Sequence, residues 1–94
     1  MKIQNLLYYD CSYDRIVFLI VLEYLNNYSD KNHMPKLTDI IEFAQNKYDL
    51  YIDYRKLSSM LPFLEELSKL KLDCFPYSIN GESTGKRKKY YLIK

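Results

Sequence analysis

DYRKLSSMLPFLEELSKLKL, residues 53–72, is the stretch from which the rest of the chain can be read. Leu57, Leu61, Leu64 and Leu67/Leu70 recur at the three-and-four spacing of one helix face, with Met60 and Phe63 beside them. Asp53 is a helix cap, because a carboxylate there can accept an otherwise free N–H of the first turn. The N-terminal half carries Tyr54, Arg55, Lys56, Ser58 and Ser59. The leucines therefore anchor in a core and the polar end is offered to a partner. Pro62 lies near the middle. It has no N–H for the carbonyl four residues earlier and its ring clashes with that carbonyl, which predicts a kink or break near 58–61. The alternative is two shorter helices, 54–60 and 62–70, with Pro62 at the favoured first position of the second.

Upstream, residues 13–27 read as a first helix. Asp10 and Ser12 are cap candidates, and Asp14 sits in the first turn, where the helix dipole favours negative charge. Its centre, IVFLIVL at 16–22, is apolar on every side. Such a helix must be covered on more than one face, and in so small a chain a second copy is the expected cover. The β-branched residues Ile16, Val17, Ile20 and Val21 make a central strand the competing reading. Residues 1–9 read as a short strand or a helical arm that packs on a second subunit. Residues 26–35 are a loop by composition and hold His33, which is given no role. Lys36-Leu37 is expected as a short strand. Thr38 then caps a second helix over 39–47 that turns Ile40, Ile41, Phe43 and Ala44 to the core. In the connection 46–52, Leu50 and Ile52 look inward.

Downstream, 73–79 reads as a strand that Pro76 restricts to an edge or an irregular start. Asn80-Gly81 is the strongest short hairpin signal in the chain, so 80–85 is expected as the turn and 86–94 as the return strand. That strand opens on four consecutive cations, Lys86, Arg87, Lys88 and Lys89.

Composition bounds the possibilities. Ninety-four residues, 48% hydrophobic and 28% charged, make one folded domain spanning 1–94, with 1–12 as an arm and 72–94 as a terminal hairpin. A net charge of +2 hides a polarity: residues 1–53 hold five basic and eight acidic side chains, residues 54–94 nine and four. Charge gathered at one end points to a polyanionic partner. Eleven tyrosines are an unusual number, and heavy use of Tyr, Ile, Lys and Asn fits an AT-rich coding sequence, so codon bias is an alternative to function for part of the excess. Cys11 and Cys74 match no metal-ligand spacing and His33 is the only histidine, so no metal and no cofactor are expected. The two thiols are expected to be free and buried, with a disulfide as the alternative. The apolar run at 16–22 falls far short of the roughly 20 residues a membrane span needs, and a cytoplasmic, membrane-free protein is expected. No nucleophile–base pair or glycine-rich phosphate loop is visible, and Glu65-Glu66 read as a solvated pair, so an enzyme is not expected.

The order helix, short strand, helix, helix, strand, turn, strand resembles the winged helix-turn-helix proteins. The matching segments are LTDIIEFAQ (37–45) for the second helix, DYRKLSSMLPFLEEL (53–67) for the recognition helix and 72–94 for the wing. Small proteins of this kind are common in viruses and plasmids of archaea and bacteria, many as dimeric regulators. The resemblance implies an α+β fold of three helices plus a C-terminal β-hairpin. It also implies binding of double-stranded DNA by a homodimeric transcriptional regulator. Tyr54, Arg55, Lys56, Ser58 and Ser59 would enter the major groove, with Arg55 on a base and Lys56 and Ser59 on phosphates. Lys86, Arg87, Lys88 and Lys89 would meet the backbone, with Arg87 reaching the minor groove. Leu6, Leu7, Ile16, Leu19, Ile20 and Glu23 are the residues expected at the dimer interface. The competing reading is a winged-helix module that docks proteins and binds no DNA. Basic groups of the third helix and the wing sharing one face would favour DNA; an acidic or covered face would favour docking.

Overall fold

A computed structural model describes residues 12–85 and 87–93. Three helices are followed by a two-stranded antiparallel hairpin: α1 (Tyr13–Tyr28), α2 (Leu37–Tyr48), α3 (Tyr54–Lys69), β1 (Ser78–Thr84) and β2 (Arg87–Ile93). This is the α+β layout of a winged helix with a C-terminal wing.

Each helix starts where a short polar group meets the free backbone donors of its first turn. The Ser12 hydroxyl accepts from the Arg15 N–H at 3.2 Å, and the Asp53 carboxylate from the Arg55 N–H at 2.7 Å. At α2 the expected cap is displaced. Thr38 lies inside the helix and Lys36 occupies the N-cap, its own N–H donating to the Asp39 carboxylate at 3.0 Å. The short strand expected at Lys36-Leu37 is therefore absent, because Asp39 captures the backbone for a helical start. Helix α2 ends at Asp49, whose left-handed backbone (φ 53°) turns the chain toward Leu50 and Ile52, both buried as expected.

Helix α3 runs unbroken through Pro62. The proline is exposed, so the hydrogen bond it cannot make lies on the solvent side of the helix, where water can replace it. Neither the break near 58–61 nor the pair of shorter helices occurs. Leu57, Leu61 and Leu64 are the core stripe, whereas Phe63 and Leu70 are exposed.

The core gathers Val17, Val21 and Leu25 of α1, Ile40 and Ala44 of α2, the α3 leucines, Phe75 and the hairpin residues Ile79, Tyr90 and Leu92. This packing overturns one expectation. Ile16 and Ile20, assigned to a dimer interface, are buried inside the single chain. The chain's own α2, α3 and hairpin supply the cover that an all-apolar helix needs. Leu19 remains exposed, Glu23 is bound to Lys47 and Tyr48 of α2, and Leu6 and Leu7 lie outside the described residues, as does the expected arm up to residue 11.

The hairpin differs from its expected register. Asn80 and Gly81 sit within β1, paired with Tyr91 and Tyr90, and the chain turns after Thr84↔Arg87, with Gly85 at φ +77°. Residues 73–77, expected as strand, are irregular, and the strand begins only after Pro76. Two buried serines fasten the hairpin to the helices. Ser29, just past α1, accepts from the Leu92 N–H at 3.0 Å, and Ser68 of α3 accepts from the Ile79 N–H at 3.3 Å. Cys74 is free and exposed rather than buried, and Cys11 lies outside the described residues.

Candidate functional site

The N-terminal half of α3 stands between two grooves. Successive helical positions fall about 100° apart, so its polar residues divide among three directions. Tyr54 and Ser58 face β2 and the start of α2. Lys56 and Ser59 face α1. Arg55 is exposed on the ridge between.

The larger groove, about 820 Å³, lies between the α2 start, α3 and β2. Its rim carries Lys36, Arg87, Lys88 and Lys89, and no described acidic residue lines it; Leu37, Leu61, Pro62 and Tyr90 supply an apolar floor. Of the residues expected to contact DNA, Tyr54, Ser58, Arg87, Lys88 and Lys89 line this groove together. The sequence reading missed Lys36. The signal was there in Pro35-Lys36 ahead of a helical run, but Lys36 was expected in a strand.

Arg87 is positioned by α3 itself. Its Nη1 donates to the Tyr54 hydroxyl at 2.7 Å, and its guanidinium lies over the Tyr54 ring, 5.8 Å from the centroid. This contact brings no carboxylate to Arg87 at the groove rim. Tyr54 is held in turn by the start of α3. The Tyr13 hydroxyl donates to the Tyr51 carbonyl at 2.8 Å and accepts from the Asp53 N–H at 3.3 Å, which fixes the cap of α3 against α1.

Lys88 has another occupation. Its ammonium meets the Glu65 carboxylate at 2.8 Å, and the second Glu65 oxygen accepts from the Gly81 N–H at 2.7 Å. Glu65, expected to be solvated, is only 5% exposed. Burial pushes its carboxyl upward, but the Lys88 hydrogen bond and the Gly81 N–H outweigh that, and its pKa lies below the ordinary carboxylate value. The same bond raises the Lys88 ammonium. Gly81 makes this arrangement possible, because a Cβ there would stand 2.5 Å from Lys88 Cε and 2.6 Å from the Tyr90 ring.

Two further site residues turn away from the groove. Lys56 pairs with Asp14 of α1 at 2.7 Å, and Ser59 donates to the Lys56 carbonyl at 3.0 Å. Both line the smaller groove with Phe18, Met60 and Phe63. Lys86 lies outside the described residues. Among the described residues Lys36, Arg55, Arg87 and Lys89 make no ion pair, so their charges are available to a ligand.

Among the described residues no group of three or more histidine, cysteine or acidic side chains is arranged to hold a metal ion, and no helix is long and apolar enough to cross a membrane. No protein-family model matches the chain, and neither the curated proteins nor the solved structures contain a match.

Proposed function

We propose that the protein binds double-stranded DNA in a sequence-specific manner, with α3 in the major groove and the hairpin on the backbone or minor groove, as a homodimeric transcriptional regulator. One observation carries the reading: cations from the wing (Arg87, Lys89) and from the α2 start (Lys36) share with Tyr54 and Ser58 of α3 a groove that no described carboxylate lines. Winged helices that dock proteins have no need of such a segregated face, whereas a phosphate backbone does.

On this reading each exposed residue has a role. Arg55, exposed on the α3 ridge, is the base reader, able to bind guanine through two hydrogen bonds. Ser58 stands beside it for a base or phosphate. Lys36 and Lys89 hold phosphates on either side, and Arg87 reaches the minor groove from its place on Tyr54. Lys56 and Lys88 act differently: each is held by a carboxylate of this chain, and they orient α3 and the wing. A two-fold dimer would set two copies of α3 roughly 34 Å apart, one turn of duplex, and favour a pseudo-palindromic site.

Selection from random duplex DNA at low salt tests the proposal. Enrichment of a pseudo-palindrome is expected. Recovery of no duplex at all would favour the docking module.

A further inference from the structure

The larger groove has a floor that a phosphate backbone alone does not require. A backbone track needs only cations. Here the cationic rim surrounds a concavity whose volume, about 820 Å³, falls in the range of small-ligand sites, and Leu37, Pro62 and the Tyr54 side chain contribute to its walls. Apolar and aromatic walls below an anion-attracting rim match a molecule with a planar body and an anionic end.

We infer that this groove binds a single free nucleotide, its phosphate between Lys36, Arg87 and Lys89 and its base against the apolar wall. Charge complementarity selects the anion: three cations come from two separate elements, and no described carboxylate lines the groove to oppose a phosphate. The walls select the base, since inorganic phosphate would leave them in water. A bound nucleotide would occupy the cations assigned to DNA, so the ligand would compete with duplex. The inference stands on the same groove as the DNA reading but does not depend on duplex binding.

The full chain is titrated with deoxyadenosine monophosphate, with inorganic phosphate and with adenosine, by calorimetry and by ¹H–¹⁵N shift mapping. The nucleotide is expected to bind about tenfold more tightly than phosphate, the gain of one stacked base. Shifts should centre on residues 36–38, 54, 58 and 87–90. Lys36→Gln with Lys89→Gln should weaken the nucleotide about tenfold, the loss of two surface phosphate contacts. Equal affinities for nucleotide and phosphate, absence of nucleotide binding, or shifts confined to another surface would each overturn the inference. The mapping uses the unaltered chain, so it decides even if the double variant is unstable. A gel shift on the same preparation separates the two ideas: duplex binding without nucleotide binding sinks this inference alone, and the reverse sinks only the DNA reading.

Discussion

The Glu65 carboxylate and the Lys88 ammonium meet at 2.8 Å across the junction of α3 and the wing, with Gly81 donating its N–H to the other carboxylate oxygen. One buried side chain of α3 thereby grips both strands of the hairpin. This contact and the Ser68–Ile79 bond beside it fasten the wing to the helix.

Replacing Glu65 by alanine should destabilise the fold by about 2 kcal/mol, because it strands a hydrogen-bond donor at Gly81 and leaves Lys88 unpaired. Urea unfolding checks this. The pH dependence has a definite sign. The folded pKa of Glu65 is depressed, so its contribution is present above the ordinary carboxylate range and lost as pH falls through the lower folded value. Glu65→Gln should flatten that part of the acid limb. An unchanged acid limb would mean that Glu65 is not held as a carboxylate.

The two hairpin glycines should fail for different reasons. At Gly81 an alanine Cβ meets Lys88 and Tyr90, and overpacking should cost about 1–3 kcal/mol. At Gly85 an added Cβ meets nothing within 4 Å, but the backbone is at φ +77°, so the cost is conformational, about 1 kcal/mol. Unfolding midpoints of the two alanine variants, with Gly81→Ala the lower, check the ranking.

Neighbouring residues of α1 should part company. Ile20 is buried at 3% exposure, and a charge there should unfold the chain, costing more than about 4 kcal/mol. Leu19 is 58% exposed, and Leu19→Asp should leave stability within about 0.5 kcal/mol while converting a dimer to monomer. Light scattering after size exclusion reads the outcome. A normal dimer of Leu19→Asp would place the interface elsewhere.

Much of the fold was legible because hydrophobic period and caps act locally. Leu57, Leu61 and Leu64 of α3, the Asp53 cap, the inward Leu50 and Ile52 and the Ser12 start of α1 all follow from spacing and side-chain type. What was not legible depended on distant partners. Asn80-Gly81 carries a turn signal, yet Gly81 is needed inside the strand because Lys88 and Tyr90 cross it. Pro62 carries a breaker signal, yet the core grip of Leu57, Leu61 and Leu64 holds the helix while the proline faces water. Likewise, four consecutive cations look alike in sequence. Only the strand's alternation, which sends Lys88 to Glu65 and leaves Arg87 with Tyr54, distinguishes the structural cation from the available ones.

Salt dependence probes the interface as a whole. With about four phosphates neutralised per dimer by Lys36 and Lys89, the log–log slope of duplex affinity against salt should be about −4. Lys36→Gln should make it shallower by about 2 in a dimer, one unit per copy. A slope near zero would exclude phosphate neutralisation.

The most direct measurement compares the wild type with an Arg55→Ala/Arg87→Ala double variant in a gel shift on selected duplex DNA at low salt. The account predicts a retarded complex for the wild type and its loss in the double variant, with the helical content unchanged. A wild type that retards no duplex, or a double variant that retards it equally well, would contradict the assignment of α3 and the wing to DNA.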